Sequence, residues 1–281
     1  MRLGELTLRF VSDGHFRLDG GMMFGVVPRV LWERRMAPDA ENRVGLALNC
    51  LLIQAPGANV LVDTGLGTNL TEEQLARNWG LAPGPRLLAN LAAAGLRPED
   101  ISLVVNTHLH VDHCGGDVVR RDGRLVPAFP HARYVVQRRE WEDAMHPNER
   151  TRASYFPEYL LPLAEAGVLD LIDGEQQVTP FIRCLPTPGH TPGHQSVLVT
   201  SGGETAVYLG DVAPFAIHFE RLAWIPAIDL LPLATMEAKR SLIQHAAENN
   251  YLLIFYHEDA HAAARLVPEG DGYRVVPVNL D

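Results

Sequence analysis

Apolar residues fall on every second position of LTLRF (6–10), and LALNCLLIQ (46–54) and NVLVDTG (59–65) are short apolar runs ending at turn residues. These patterns predict adjacent strands of one sheet. Between them, DGGMMFGVVPRVLWERRMAPDAENRV (19–44) mixes Gly, Pro and large apolar residues with neither period. It reads as a loop covering a pocket, or as an irregular arm packed on the core or on a second subunit. A helix is expected over PGPRLLANLAAAGLRPED (83–100), ended by Pro98, with ISLVV (101–105) as the next strand. Beyond residue 130, ARYVVQ, FIRCLP, SVLVT and AVYLGD read as strands, and RREWEDAM, FPEYLLPLAEAG and ATMEAKRSLIQHAAENN as helices. YLLIFYH (251–257) is a strand with a histidine at its end, and ARLVP and YRVVPVNL are short strand-like pieces after it. The second half repeats the grammar of the first. No Gly-, Ser- or Pro-rich linker divides them, so one α/β domain over residues 1–281, with 20–46 as its covering loop or arm, is expected.

Composition narrows the partners. The 281 residues carry a formal net charge of -10 and no Lys/Arg run longer than a pair, which disfavours nucleic acid and anionic membrane. A small, neutral or polar substrate fits better. The start of the chain has no basic segment followed by an apolar core, and no long apolar run follows, so a soluble cytoplasmic protein is expected. Only Cys50, Cys114 and Cys184 are present, which argues for reduced thiols.

Chemistry gathers in THLHVDHCGG (107–116), directly after ISLVV. His108, His110, Asp112 and His113 form H-x-H-x-D-H, with imidazole and carboxylate ligands suited to zinc, manganese, iron or cobalt. In an extended stretch His108 and His110 point the same way and can grip one ion, while a turn at Asp112 and His113 can send that pair to a second. Four residues cannot complete two shells, so partners are expected at other strand ends. His190 lies in a Pro-Gly turn after FIRCLP, Asp211 ends AVYLGD and His257 ends YLLIFYH. His194 and His261 are the rivals of His190 and His257. A carboxylate can bridge two cations roughly 3.5–4 Å apart, which suits Asp211.

These motifs, in this order over roughly residues 47 to 260, resemble the metallo-β-lactamase superfamily. The resemblance implies an αβ/βα sandwich of two mixed β-sheets flanked by helices, with two divalent metal ions per chain, zinc by default, at one edge. It implies His108, His110 and His190 on the first ion, Asp112, His113 and His257 on the second, and Asp211 bridging. Asp63 in VDTG matches an aspartate that orients a ligand histidine, with a turn-capping role as the lesser alternative.

Departures from other branches narrow the activity. The β-lactamases of this fold usually lack the histidine at the position of His113 and use cysteine where Asp211 stands. The flavin-diiron reductases place Glu at the position of His110 and need a second domain. Cys114 is expected to pack in the core. Glyoxalase II usually carries a basic C-terminal helical region, whereas this chain has one lysine, Lys239. GGMMFGVVPRVLWERR and GDVAPFAIHFERLAWIP look like the lactonases of N-acyl homoserine lactones and the related methyl parathion hydrolase. Lactone opening by attack of a metal-bridging hydroxide is therefore expected, with Asp112 and Asp211 catalytic. Phosphotriester or aryl ester hydrolysis, and glyoxalase II-like thioester hydrolysis, are the alternatives. The tyrosine that one lactonase branch carries three residues after the bridging aspartate is Pro214 here. His218 is the candidate substitute for its carbonyl-orienting phenol. Met22, Met23, Phe24 and Trp32 are candidates to hold an acyl chain, and the same apolar loop is a candidate homodimer contact.

Overall fold

Two seven-stranded sheets, taken up one after the other along the chain, carry the protein in its computed structural model, which describes residues 1–71, 86–259, 261–270 and 272–279. The first sheet runs Arg2–Leu3, Leu6–Asp19, Arg43–Ala55 and Ala58–Val62 antiparallel, then continues parallel through Leu103–Val105, Arg133–Gln137 and Leu169–Ile172. In the second, Gln176–Thr179, Ile182–Pro186, Gln195–Ser201 and Glu204–Tyr208 are antiparallel. Leu252–Ile254 joins them in parallel, and Ala263–Glu269 and Gly272–Pro277 complete the sheet. The parallel steps need crossovers, and the helix Pro232–Glu248 supplies the one between Glu204–Tyr208 and Leu252–Ile254.

Patterning explains the layers. Leu6 and Leu8 are buried and Arg9 is exposed, as period two demands, whereas Leu51, Leu52 and Ile53 are all buried because both faces of their strand are covered. One apolar cluster contains Leu48 and Leu52 of the first sheet with Val197, Tyr208 and Ile254 of the second. Leu242 and Ala246 of the long helix pack on Leu198, Val207 and Leu253 from the other side. Helix, sheet, sheet, helix is the αβ/βα order the motifs implied.

Four local expectations need correction. The helix within 83–100 spans Leu87–Ala93 and ends at Gly95, whose φ of 79° a helix cannot continue; Pro98 instead opens a short turn, Pro98–Asp100. Residues 83–85 of that expectation lie outside the described residues. In YLLIFYH only Leu252–Ile254 pair in the sheet, while Tyr256 and His257 turn to the first half, where their carbonyls accept from the amides of Asn49 and Ala47. A hairpin, Val118–Arg121 with Arg124–Pro127, turns on Asp122 and Gly123, both with positive φ. The Asp-Gly signal for it stands in the sequence unused.

The arm after Asp19 is not a free loop. It forms two short helices, Gly20–Phe24 and Arg29–Trp32, whose Phe24 and Trp32 rings stack at 4.8 Å and are buried in the core.

Candidate metal centre

After Leu103–Val105 the chain stays extended through His110 and then makes a single helical turn, Val111–Cys114. The extended part places His108 beside His110, and the turn swings Asp112 and His113 to the other side. Three ligand-type groups result, each with donor atoms within 4.8 Å of one another: His108, His110 and His190; Asp112, His113 and His257; and His108, His113 and Asp211. Asp211 straddles the first two. Its Oδ2 lies 3.3 Å from His190 Nε2, and its Oδ1 lies 3.4 Å from His113 Nε2 and 3.3 Å from His257 Nε2.

Distant acceptors aim the imidazoles. Asp63 Oδ2 accepts from His113 Nδ1 at 2.8 Å, and its other oxygen accepts from the Thr107 amide at 2.8 Å. Asp229 Oδ1 accepts from His190 Nδ1 at 3.0 Å, and the Ala47 carbonyl from His257 Nδ1 at 2.9 Å. With Nδ1 carrying the proton, each Nε2 turns a lone pair inward. Burial, then repulsion from neighbouring imidazoles, holds His108 and His110 well below the usual histidine range, so both are neutral donors. Burial opposes ionisation of Asp211, but His257, His113 and His190 outweigh it and keep the carboxyl well below its ordinary value.

The arrangement fits cations. His108 Nε2, His113 Nε2 and Asp211 Oδ1 are buried without a hydrogen-bond partner, a cost of about 1–3 kcal/mol each unless an ion satisfies them. A tetrahedral ion with ligands at about 2.0–2.1 Å sets those ligands roughly 3.3 Å apart. The spacing from His190 and His257 to Asp211 matches that edge, and His110 Nδ1 to His190 Nε2, at 3.0 Å, approaches it. The donors suffice for two divalent ions.

His194 is held otherwise: its Nδ1 meets the Thr187 hydroxyl at 2.8 Å, and its Nε2 accepts the Asp211 amide at 3.0 Å. That contact requires glycine before Asp211, since a Cβ on Gly210, with φ 58°, would stand 2.7 Å from His194 Nε2. His261 is exposed and belongs to none of the groups. Cys114 packs in the core, its thiol on the Leu109 carbonyl.

A cavity of about 790 Å³ opens over His110, Asp112, Asp211 and His257 of these ligand-type groups. Leu18, Met22, Met23, Leu46, Ile228 and Leu230 form its apolar wall. His218 is not brought there: it is fully buried behind Phe24, 5.3 Å between ring centroids, and against Phe215. Burial, with Lys239 nearby, lowers it to about 3, so the carbonyl-orienting role expected for it has no geometric basis. Phe24 and Trp32 likewise belong to the core, and only Met22 and Met23 of the four apolar arm residues line the cavity.

Two buried acids escaped sequence reasoning. Asp229, which also accepts the Thr235 hydroxyl at 2.6 Å, is a lone acid in the apolar stretch IPAIDLLPL, and that isolation is a readable sign of a buried carboxylate with a partner. Glu140 accepts from the Leu109 amide and from the hydroxyls of Tyr155 and Thr191, tying the His108–His110 stretch to the His190 turn. Among the charges of RREWEDAM nothing marks it out.

Known proteins agree with this geometry. The metallo-beta-lactamase superfamily profile matches residues 43–257, and the chain belongs to that superfamily. The N-acyl homoserine lactonase AiiA of Bacillus thuringiensis subsp. kurstaki is 27% identical over 237 residues, 80% of this chain and 87% of the relative. AttM of Rhizobium radiobacter, also an N-acyl homoserine lactonase, is 27% identical over 78% of this chain and 84% of its own. Among solved structures, a probable metal-dependent hydrolase from Staphylococcus aureus superposes with a TM-score of 0.89 at 30% identity, covering 99% of both chains. AidC, a dizinc quorum-quenching lactonase in complex with a product, shares the fold at TM-score 0.81 and 22% identity, over 99% of this chain and 96% of its own. The protein is a metal-dependent hydrolase. No helix among the described residues is long and apolar enough to cross a membrane.

Proposed function

We propose that this hydrolase opens lactone rings of the N-acyl homoserine type, with zinc as the metal. His108, His110 and His190 would hold one ion, Asp112, His113 and His257 the other, and Asp211 both. Two such ions supply Lewis acidity to a carbonyl oxygen and lower the pKa of water toward neutrality. The chain does the rest. Asp211, with Oδ2 beside His190 and Oδ1 beside His113 and His257, would accept a proton from water. Asp63 and Asp229 hold the His113 and His190 tautomers through the cycle. Leu18, Met22, Met23, Leu46, Ile228 and Leu230 shelter an acyl chain from water.

One observation carries the reading: the paired ligand groups open into a cavity with an apolar wall, and the N-acyl homoserine lactonases are relatives over most of the chain. The test is a turnover panel on metal-loaded protein with acyl homoserine lactones of graded length, an aryl ester, a phosphotriester and a glutathione thioester. The highest kcat/KM is expected on a lactone. If the phosphotriester or thioester exceeds every lactone by about tenfold, the lactonase reading is replaced by that activity.

A further inference from the structure

Part of the remaining cavity wall is polar. Arg150 and Arg152 line it together with the ligands His110, Asp112, Asp211 and His257. Arg150 reaches across the mouth to donate to the Ala227 carbonyl at 2.8 Å, and no carboxylate pairs with it. The Arg152 amide donates to the Asn148 carbonyl at 2.9 Å, and among the described residues its guanidinium has no hydrogen bond or ion pair. Several other arginines pair with acids, as Arg29 does with Glu33, Arg43 with Asp39, Arg139 with Asp143 and Arg183 with Glu175, while surface arginines such as Arg120 do not. Glu149, the adjacent acid, is not part of the lining. In a chain of net charge -10, two guanidinium groups thus stand at the mouth of a cavity whose other charged side chains are the carboxylates of Asp112 and Asp211.

The turn that bears them is firmly built. Asn148 Oδ1 accepts from the Arg150 amide at 2.9 Å, and the Thr151 hydroxyl accepts from the Asn148 amide at 3.0 Å. The Ser154 carbonyl accepts from the Val111 amide at 2.9 Å, so the turn is tied directly to the ligand loop. Thr151 and Tyr155 are buried anchors, and the exposed side chains of Arg150 and Arg152 are the charged parts of the turn that line the cavity.

We propose that Arg150 and Arg152 form an anion subsite, and that the preferred substrate carries a carboxylate on the acyl portion that is not cleaved. Guanidinium presents several N–H donors to a carboxylate, and a charged hydrogen bond of this kind discriminates strongly against a methyl group in the same place. This deepens the lactonase reading and rests on it. It also narrows the expectation of a small, neutral or polar substrate drawn from net charge, because two cationic side chains line the cavity despite the acidic whole.

The test compares N-adipoyl with N-hexanoyl homoserine lactone, which match in acyl length and differ in a terminal carboxylate against a methyl. For the wild type, kcat/KM on the adipoyl compound should exceed that on the hexanoyl compound by about tenfold at low salt. High salt should shrink that ratio, and R150Q/R152Q should bring it near one. A wild-type ratio of one or less, or a ratio that R150Q/R152Q leaves intact, overturns the proposal. If neither compound is hydrolysed, the lactonase reading fails while the subsite is still decided. Calorimetry on the same pair should then show tighter adipoyl binding that R150Q/R152Q abolishes, and equal affinities overturn it.

Discussion

The floor of the cavity and its wall are held by opposite kinds of contact. On the floor, His113, His190 and His257 are buried, each fixed through Nδ1 by an acceptor from a remote segment: Asp63, Asp229 and the Ala47 carbonyl. The wall is made of Leu18, Met22, Met23, Leu46, Ile228 and Leu230, with Arg150 and Arg152 at the mouth, groups bound by dispersion or open to solvent. Directional bonds in a dry site allow one geometry, whereas an apolar or solvated surface can change residue by residue at small cost. On the proposed reading, the reaction would belong to the floor and selectivity to the wall.

The largest effects should come from the floor. D211A or H113A should lose one ion by elemental analysis and about a thousandfold in kcat/KM or more, while the far-ultraviolet circular dichroism stays native. Wild-type turnover in either variant would break the distinction at its root. D229A and D63A, one step removed, should cost about 10–100-fold in metal affinity or activity. H190A should be more severe than H194A, and the reverse order would make His194 the ligand.

Two substitutions in the same arm sharpen the boundary. F24A removes a buried ring and should lower unfolding free energy by about 3–5 kcal/mol in denaturant melts, with the preference among acyl lengths unchanged. M22A, at a half-exposed wall residue, should weaken long-chain lactones selectively by about 1 kcal/mol and leave stability nearly intact. If F24A alters chain-length preference instead, that ring belongs with the wall.

The smallest effect concerns an acid outside both regions. Burial, against hydrogen bonds from the Leu87 and Gly67 amides, raises the Asp13 carboxyl from 3.8 to about 7. The folded chain thus holds this proton more tightly than the unfolded one, and its contribution to stability is lost as pH rises from 3.8 through about 7. D13N should flatten that decline in melting temperature. Asp117, raised by burial to about 8, should leave a residual slope in both proteins, and an unchanged slope in D13N would place the titration elsewhere.

The same division governs what the sequence disclosed. His108, His110, Asp112 and His113 crowd one short segment, and His190, Asp211 and His257 each end a strand or follow one, so local spacing and strand periodicity were enough to nominate them. The sandwich was legible for the same reason, since its strands carry clear apolar periods. Phe24 and Trp32 were misplaced because an aromatic residue in an aperiodic arm reads alike whether it faces a pocket or the core. His218 was nominated by closeness in sequence to Asp211, yet its helix, Ala216–Glu220, turns the ring inward behind Phe24. Arg150 and Arg152 were hidden by averaging, because a net charge says nothing of where the exceptions stand.

The bond from His257 to the Ala47 carbonyl spans 210 residues, and the return bond from the Ala47 amide to the His257 carbonyl closes the same loop. Contacts of such separation form late, after shorter-range pairing has removed most of the chain's freedom. During synthesis, His108 to His113 leave the ribosome long before His257 does, and until that last segment docks, the Asp112–His113 pair lacks its third donor. A cation held by all three would then be captured late in assembly, as a latch on a finished structure rather than a nucleus for an unfinished one. To the extent that it binds the native arrangement, its retention after a chemical or thermal challenge would report that both halves have returned to register.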